Sequence, residues 1–597
     1  MKAKISKLIK EKAIITFLVG ALIGVISFLL QYGIDVVRFT NTEWLTHSNN
    51  LEGLWDLTQH YYGWVLYRNT PWTFPIGLLE GVACTPISVA YTDSIPLFAI
   101  FFKILSPILP ASFQYFGLYE LMTYALMGGL GSLITYKFSR NLMSNSISAM
   151  FFVMSPVLLK RTFYHSALSG HFVILAAICL WIYRDEISKK KYIVYWSILT
   201  VISTLINPYY VPMVIGILAC SVVQDLIVNK KWIYSILSVL IPGVASLFIG
   251  WIIGLFYGEV SSTGRGIDKV SFNLNQLVNP YNPLLSHEDY HFDDMSYSSI
   301  MPKMELSTPW QSEGFSYLGL GMIVLCVFVL VLWIISLFRG KEKFADKEYK
   351  KTYISYIIGI AIGVLVFTLL ALGPVACIGS HQIYSIDWPE SIYNLFAMFR
   401  TAGRFIWPVY YGIMALTMIG LMRLLKGNML CTIVLFVALA IQIIDLWPSF
   451  VYKHSVYQKA EVGYESNYRN EICDSPMWQY LADKTDEIIF ATPTETSICF
   501  LAKWSCTFET YAVNNGINMS ASYCSRDVSA VADRYANDNY EQRRQGERFP
   551  NKVYVLLWPD MLDQLDGTGL NIYQISNYYV ASDLDLSMFE EAHPIVK

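Results

Sequence analysis

A carboxylate and a histidine stand four residues apart in a polar stretch that follows the first long apolar run. Asp56 and His60 would share one face of a helix, with Tyr61 and Trp64 close by. A carboxylate here could accept the proton of an acceptor hydroxyl, and a nearby imidazole could orient it. The alternative is that the pair only anchors the loop through hydrogen bonds. We predict that Asp56 is a general base and that His60 assists it.

The same loop carries a second acid and several aromatic residues. Asp93 opens the turn TDSIP before another apolar stretch, where a side-chain oxygen could cap the following helix. Capping and a role in the site are compatible, so we place Asp93 with the catalytic group. Aromatic rings stack on the C–H faces of sugars, and this loop is rich in tryptophan and tyrosine. We therefore predict that Trp64 and Arg68 bind a sugar or an acceptor.

Basic side chains recur where outer helix ends are expected. LLKRTFYHSALSGH contains Arg161 and His165, and FRTAGRFIWPVYY contains Arg400 and Arg404. Lysine and arginine are usually enriched in cytoplasmic loops, so basic residues at outer helix ends should have a compensating negative charge. A phosphate at the membrane surface would do so through bidentate guanidinium contacts. The alternative is an ion pair with a loop acid. We predict that these four residues bind the phosphate of an anionic lipid headgroup.

The second large loop offers further polar groups. Gln311 and Glu313 precede a predicted helix, and we assign them to sugar or acceptor binding, although Glu313 could instead cap that helix. The cluster SHEDYHFDDM (286–295) could bind a divalent cation, but such clusters are usually solvated loop faces. We predict neither a metal site nor a cofactor. The chain has no P-loop, dinucleotide fingerprint, GxSxG elbow or HExxH helix, so nucleotide hydrolysis and metalloprotease chemistry have no support.

The elements that hold these residues are expected to be membrane helices. Hydrophobic residues make up 54% of the chain and charged residues only 15%, a balance rare in soluble domains. The runs at 13–33 and 317–338 are long enough to cross about 30 Å of hydrocarbon. The first run lacks the cleavage pattern of a signal peptide, so we expect a retained helix.

Lysine and arginine placement predicts the orientation of the spans. If each basic cluster marks the cytoplasm, the amino terminus is inside and the carboxyl terminus outside. If the apolar run at 94–109 crossed the membrane, every later basic cluster would lie on the outer side. We therefore expect this run to lie in the outer interface. The eleven predicted spans are 13–33, 113–137, 146–160, 166–184, 192–206, 209–227, 232–257, 315–338, 352–373, 404–424 and 428–447.

The predicted fold class is an all-α polytopic membrane protein with a soluble tail. Residues 1–447 form the membrane domain, and its large outer loops are 34–112, 258–314 and 374–403. Residues 448–597 are expected to form an extracytoplasmic α/β domain, because DEIIFAT, KVYVLLWP and NIYQISNYYVA alternate like strands while PMWQYLADK and DVSAVADRYANDNYEQRRQ look helical. Only the outer loops are elaborated, so the chemistry is expected on the outer face.

This order of features resembles a known superfamily. One helix, a long acidic outer loop with an interfacial helix, many further spans and an outer domain resemble the GT-C superfamily of membrane glycosyltransferases, which use polyprenyl-phosphate sugars. More narrowly, the chain resembles a bacterial family of unknown function placed beside it. The stretches that carry the resemblance lie between about 55 and 410: DLTQHYYGWVLYRNTPWTFPIG, YTDSIPLFAIFFKILSPILPASFQYFGLY, HSALSGHFVILAAICLWIY, QSEGFSYLGLG and FRTAGRFIWPVYY.

The resemblance implies sugar transfer from a polyprenyl-phosphate donor, with an acidic base in the first outer loop. That role falls on Asp56, although superfamily members often pair two acids there and the neighbour here is Trp55. The hypothesis is an inverting glycosyltransferase on the outer face of the cytoplasmic membrane. Its expected partners are the bilayer, the donor and a cell-envelope glycan or glycolipid, and not nucleic acid. The alternatives are a transporter or flippase of lipid-linked sugars and a non-catalytic envelope assembly protein.

Overall fold

The structure is a computed structural model, and most of the chain is helical. It describes every residue except 1, 47–54, 81–83, 259–266, 268, 283–294, 339–346, 398, 400, 461–471, 492–501, 522, 523, 527, 596 and 597. The α-helices of the first half are α1 (Lys2–Tyr32), α2 (Glu43–Thr46), α3 (Trp55–Asn69), α4 (Pro96–Leu105), α5 (Phe116–Tyr136), α6 (Leu142–Val153), α7 (Pro156–Arg161), α8 (Phe172–Ile182), α9 (Lys189–Ile206), α10 (Tyr210–Gln224) and α11 (Trp232–Ile252).

The described residues of the second half add eight α-helices and most of the strands. These helices are α12 (Leu320–Phe338), α13 (Lys347–Leu372), α14 (Glu390–Ala397), α15 (Trp407–Leu424), α16 (Met429–Tyr457), α17 (Pro476–Ala482), α18 (Ala502–Asn515) and α19 (Ser529–Arg544). The strands of the whole chain are β1 (Leu78–Leu79), β2 (Ile87–Ser88), β3 (Tyr281–Asn282), β4 (Met295–Ser296), β5 (Val375–Ile378), β6 (His381–Ser385), β7 (Glu487–Ala491), β8 (Asn518–Met519), β9 (Lys552–Leu556), β10 (Asn571–Ile575), β11 (Tyr578–Ser582) and β12 (His593–Pro594).

Several helices have the length and apolarity of membrane spans, so the prediction of a helical membrane protein is confirmed at that level. Every one of the eleven predicted spans overlaps a helix. The number of actual crossings stays a prediction, because six helices in the described residues meet both criteria. These six are Glu11–Tyr32, Tyr210–Val228, Trp232–Ile252, Tyr353–Leu372, Ala402–Leu424 and Met429–Tyr457.

The first of two compact units comprises residues 1–38, 115–249 and 264–460. Its helices α1 and α5 cross closely, because glycines face each other there. A Cβ atom added to Gly20 would lie 2.4 Å from the carbonyl oxygen of Gly128, and one added to Gly128 would lie 2.1 Å from that of Gly20. Small residues at such a crossing allow the close backbone approach by which membrane helices associate.

The second unit comprises residues 39–114, 250–263 and 461–597. Its six-stranded sheet has the order β12-β10-β11-β9-β7-β8, in which β7 pairs in parallel with β8 and β9 and the other pairs are antiparallel. The first outer loop packs onto this part of the chain. The backbone N–H of Cys84 donates to Ser520 at 2.8 Å, and that of Ser525 donates to Tyr91 at 2.7 Å. The first loop and the carboxyl-terminal segment therefore form one unit.

Candidate functional site

Two arginines of the first unit converge on one carboxylate. Arg161 ends α7, while Arg404 and Glu313 lie in 3₁₀ turns at Ala402–Ile406 and Pro309–Gly314. Nη2 of Arg161 is 2.7 Å from Oε2 of Glu313, and Nε and Nη2 of Arg404 are each 2.9 Å from the same oxygen. These are charge-assisted contacts, which are stronger than neutral hydrogen bonds. The ion pair with a loop acid, considered for both arginines as the alternative to a ligand, is therefore present.

The local sequence explains how Arg161 is presented. The Ser155 hydroxyl accepts a hydrogen bond from the N–H of Leu158 at 3.4 Å, and Pro156 occupies the first turn. Both features favour a helix start. The helix is six residues long, so Lys160 and Arg161 fall in its last turn, where cations are stabilised by the helix dipole.

Lys160 is directed to the same loop as Arg161. Its ammonium donates a hydrogen bond to the carbonyl oxygen of Ser312, and its Nζ lies 5.4 Å from the ring centre of Phe315. Two adjacent basic residues on α7 thus meet two adjacent residues, Ser312 and Glu313, of the second large loop. Both basic side chains are almost fully buried, since Lys160 is 3% exposed and Arg161 is 1% exposed.

Positive charge exceeds negative charge in this cluster. Among the described residues, Lys160 makes no ion pair and Arg161 pairs with Glu313 alone. Arg161 and Arg404 are two permanent cations that share the single carboxylate of Glu313, while burial lowers the pKa of the Lys160 ammonium well below its usual range. Burying a charge is costly unless a counter-charge accompanies it. The arrangement therefore suits an additional anion.

The charge state of Glu313 follows from its neighbours. Burial raises the pKa of its carboxyl group, but Arg161, Arg404 and Lys160 lower it by more, so the pKa lies well below its usual range. Glu313 is consequently ionised at physiological pH. It does not cap α12, because the N–H of Leu320 donates instead to Asp445 at 2.9 Å.

Aromatic rings orient both guanidinium groups. The guanidinium of Arg161 lies 5.4 Å from the ring of Trp407, and that of Arg404 lies 4.7 Å from the ring of Tyr209. Such cation–π contacts fix the planes of the two groups. Nε of Arg161 has no hydrogen-bond partner among the described residues, so one buried donor remains for a ligand.

The predicted catalytic residues lie in the second unit. Asp56 is half-buried in the first turn of α3, where the helix dipole stabilises a carboxylate. His60 is fully buried one turn later. Asp93 has φ of 52° in the turn before α4, and the hydroxyl of the next residue, Ser94, donates to the carbonyl oxygen of His60 at 2.7 Å. A carboxylate oxygen of Asp93 and a ring nitrogen of His60 lie within 4.8 Å.

Two residues assigned to sugar binding have extensive internal contacts. Trp64 is fully buried, and its indole N–H donates to the carbonyl oxygen of Phe113 at 3.1 Å. The guanidinium of Arg68 donates to the carbonyl oxygens of Pro110 and Ala111 at 2.8 and 2.9 Å, and it also reaches two carbonyls just after α4. These contacts hold the first outer loop in shape, and the proposed sugar contacts stay predictions.

The remaining predicted residues have separate surroundings. Gln311 is buried beside the cluster, and its side-chain amide oxygen accepts from the amide of Asn273 at 2.9 Å and from the N–H of Ser307 at 3.0 Å. His165 is buried in the turn between α7 and α8. Arg400 and the acidic part of the 286–295 cluster lie outside the described residues.

A family comparison matches residues 21–447 to a domain of unknown function, DUF6311. The match covers more than two thirds of the 597 residues. The chain belongs to this family. No curated protein matches it. The DUF6311 region contains Asp56, His60 and Asp93 as well as the cluster of Arg161, Glu313 and Arg404, and it stops short of the six-stranded sheet. The site residues thus lie within the matched region.

Three members of the site were not assigned a role from the sequence. Lys160 is adjacent to Arg161, and its position in the same basic pair was the available signal. Trp407 follows Arg404 by three residues, so it lies within the same motif. Tyr209 has no such signal, because it is 195 positions away from Arg404 in sequence (404 minus 209) and only the fold brings the two together.

Proposed function

We propose that the protein is an inverting glycosyltransferase that transfers a sugar from a polyprenyl-phosphate donor to a cell-envelope glycan or glycolipid. It would work on the outer face of the cytoplasmic membrane. The observation that carries the proposal is the buried cluster of Lys160, Arg161 and Arg404, in which the two arginines share the single carboxylate of Glu313. Buried positive charge in a membrane protein calls for an anion, and the phosphate of a membrane lipid meets that need.

The cluster has the chemistry of a phosphate site. Guanidinium groups present paired N–H donors that match phosphate oxygens, and the ring contacts hold them in place before the ligand arrives. During transfer, negative charge grows on the departing phosphate. Fixed cations stabilise that charge without having to reorganise, which is commonly the largest contribution to catalysis. Arg161 and Arg404 would have this role.

Room for a hydrocarbon chain exists in the same unit. A cavity of about 390 Å³ lies between α5, α8 and α9, and its lining is almost wholly apolar. Tyr195 and Ile198 at this cavity are 42% and 51% exposed, so the cavity borders the outer surface of the helices. The remaining lining residues are Leu130, Ala176, Cys179, Leu180, Tyr183, Leu199 and Ile202. An apolar cavity of this kind favours a lipid tail over water.

Asp56 would supply the base for the reaction. Its carboxylate takes the proton of the acceptor hydroxyl as that oxygen bonds to the anomeric carbon of the sugar. The bond from this carbon to the phosphate oxygen breaks, and the electron pair leaves with the lipid phosphate. One displacement inverts the configuration of the sugar, and the ionised leaving group requires no cofactor. His60 and Asp93 would support Asp56 from the same loop.

A transfer assay tests the proposal with the full chain in detergent. Polyprenyl-phosphate sugars are supplied with envelope glycan or glycolipid acceptors, and the labelled product is measured. Asp56→Asn should lower turnover by about 100-fold or more, because general-base catalysis contributes at least that much. Asp560→Asn is the matched control, since Asp560 is also a first-turn acid of the second unit but is exposed. It should leave turnover unchanged.

Three results would contradict the proposal in different ways. Full turnover by Asp56→Asn would remove the base from the mechanism. Movement of the lipid-linked sugar across a vesicle membrane without transfer would favour a flippase. Neither activity, together with rescue of an envelope defect by Asp56→Asn, would favour a non-catalytic assembly protein.

A further inference from the structure

One peptide group beside the anion cluster is held at both ends by hydrogen bonds to buried ionisable side chains. The carbonyl oxygen of Thr162 accepts a hydrogen bond from Nζ of Lys453 at 3.4 Å. The N–H of the same peptide, which belongs to Phe163, donates to Oε1 of Glu120 at 3.3 Å. Glu120 is fully buried and Lys453 is 2% exposed. Ionisable side chains buried in a membrane protein are costly and are expected to have a specific task.

The backbone at this point is strained. Phe163 has φ of 62°, a left-handed conformation that is uncommon for a bulky residue. Its ring is packed against Tyr32 and Tyr457, with centroid distances of 5.3 and 4.9 Å. Strained residues persist where their surroundings over-determine them, and they concentrate at functional sites. The hydrogen bonds with Glu120 and Lys453 and the ring contacts supply that constraint here.

The hydrogen bonds of Glu120 extend along the turn that begins at Arg161. The second oxygen of Glu120 accepts from the hydroxyl of Ser169 at 2.7 Å, so one carboxylate binds both ends of the turn. The N–H of His165 donates back to the carbonyl oxygen of Arg161 at 3.0 Å. Arg161 directly precedes the Thr162–Phe163 peptide, so the direction of the Arg161 side chain depends on how that peptide is held.

We propose that Glu120 and Lys453 are positioning residues for the anion site. They orient Arg161 by holding the Thr162–Phe163 peptide, and neither touches the ligand. This inference rests on the proposed function, because it takes a lipid phosphate as the ligand of Arg161. A merely structural role for the two residues would stabilise the fold but would not select for phosphate.

Binding of a C55 polyprenyl phosphate to the full chain in detergent micelles tests the inference. The neutral polyprenol of the same length reports binding of the hydrocarbon alone. Glu120→Leu and Lys453→Met each remove one hydrogen bond to the peptide and should each weaken polyprenyl-phosphate binding by about tenfold, since a small displacement of a binding group is costly. Polyprenol binding should not change. The double variant should lose less than the product of the two single losses, because both residues act on one peptide.

Asp445→Asn is the matched structural control. Asp445 is also a fully buried acid of the first unit, and it accepts hydrogen bonds from Tyr317 at 2.7 Å and from the N–H of Leu320 at 2.9 Å. It makes no hydrogen bond to the turn after Arg161 among the described residues. This variant should lower the melting temperature as the others do, yet bind polyprenyl phosphate like the wild type.

The outcomes separate this inference from the proposed function. If the wild type binds polyprenyl phosphate, Arg161→Ala does not, and the Glu120 and Lys453 variants bind normally, the positioning role is overturned and the phosphate site stands. Losses no greater than that of Asp445→Asn at equal melting temperature would overturn it too. If the wild type does not prefer the phosphate to the neutral lipid, the proposed function and the inference both fail.

Discussion

Arg161 and Arg404 would each be costly to bury alone, and Glu313 makes their burial tolerable. Both arginines contact the same oxygen of Glu313, at 2.7 and 2.9 Å. Such contacts occur in structural ion-pair networks and also in sites that bind an anion. The two interpretations differ in what happens when the carboxylate is removed. A purely structural network only loses stability, whereas an anion site also gains affinity for a substitute charge.

Glu313→Gln should lower the free energy of unfolding by about 3 kcal/mol, because it leaves buried guanidinium groups without their counter-ion. A lipid phosphate should recover much of that loss by supplying the missing charge. The measurement is the melting temperature of the full chain in detergent, with and without polyprenyl phosphate.

Asp225→Asn is the control for this experiment. Asp225 pairs with Arg184 in the same unit, and their side chains are 4% and 7% exposed. This variant also removes the buried carboxylate of a buried arginine and leaves only a 4.0 Å contact with the exposed Asp185, but Arg184 lies outside the proposed site. An equal response of both variants to the lipid phosphate would count against an anion site at Glu313.

His60 should make the stability of the second unit depend on pH. Burial lowers the pKa of its imidazole to about 3, whereas the unfolded chain has a pKa near 6.5. Below about pH 6.5 the unfolded state therefore binds a proton at His60 that the folded state does not bind. The free energy of unfolding is highest above this pH and decreases as the pH falls. Between pH 7 and pH 5 the loss should be roughly 2 kcal/mol.

Thermal unfolding at several pH values measures this loss. His60→Gln should flatten the profile, while His593→Gln, which replaces an exposed histidine of the same unit, should not. A wild-type profile identical to that of His60→Gln would show that folding does not lower the pKa of His60. In the neutral form, His60 can assist Asp56 only as an uncharged hydrogen-bonding partner.

The sequence predicted the charged residues of the cluster but not their pairing. Arg161, Arg404 and Glu313 each stood out because charge next to apolar runs is unusual. Arg161 and Glu313 are 152 positions apart, and Arg404 and Glu313 are 91 apart, so no local spacing relates them. Pairing at that separation depends on how the helices pack. The hydrogen bonds of Glu120 and Lys453 to the Thr162–Phe163 peptide could not be predicted for the same reason.

The helix α4 has apolar residues on both its buried and its exposed faces. Ala99 and Phe102 are buried, whereas Phe101 and Ile104 are 55% and 62% exposed. Just after the helix, Ile108 is 81% exposed. Water does not favour such a surface, but the boundary between headgroups and acyl chains does. These exposures support the prediction that 94–109 lies in the membrane interface.

A fluorescent amino acid at position 104 should be quenched by brominated lipid when the full chain is reconstituted in vesicles. The same group at position 588 is the control, since Ile104 and Met588 belong to the same unit and are 62% and 65% exposed. We expect no quenching at 588. Equal quenching at both positions, or none at either, would contradict an interfacial α4.

Local sequence predicted the strands of the carboxyl-terminal segment better than their arrangement. The alternating stretches at DEIIFAT and KVYVLLWP form β7 and β9, and NIYQISNYYVA forms the hairpin of β10 and β11. Their sheet order is set by contacts between distant segments. The parallel pairing of β7 with both β8 and β9 depends on the helices that connect them, and alternation within a strand does not specify that.

At the scale of the whole molecule, the predicted boundary at residue 447 does not mark the end of an element. Helix α16 continues to Tyr457. The second compact unit combines the first outer loop, residues 250–263 and the carboxyl-terminal segment. Hydropathy describes neighbouring residues and therefore divides a chain into consecutive parts. A unit built from three separate segments is visible only in the fold.

Reporter fusions test the proposed orientation of the chain. Alkaline phosphatase, which is active only outside the cytoplasm, should be active when fused after residue 80. It should be inactive when fused after residue 190, next to Lys189, Lys190 and Lys191, because clustered lysines favour the cytoplasmic side. The opposite pattern would place Asp56 in the cytoplasm and contradict the proposed outer-face reaction.

The most direct test of the account is the donor and acceptor dependence of transfer by Arg161→Ala. A hydrogen bond to a charged group contributes about 1.5–3 kcal/mol, so the donor KM should rise about 10- to 100-fold. The acceptor KM should stay within about twofold, because Arg161 would contact the donor phosphate and not the acceptor. Arg184→Ala, which disrupts another buried ion pair of the same unit, should change neither KM. Equal changes in both KM values, or the same change in Arg184→Ala, would contradict a phosphate-binding role for Arg161.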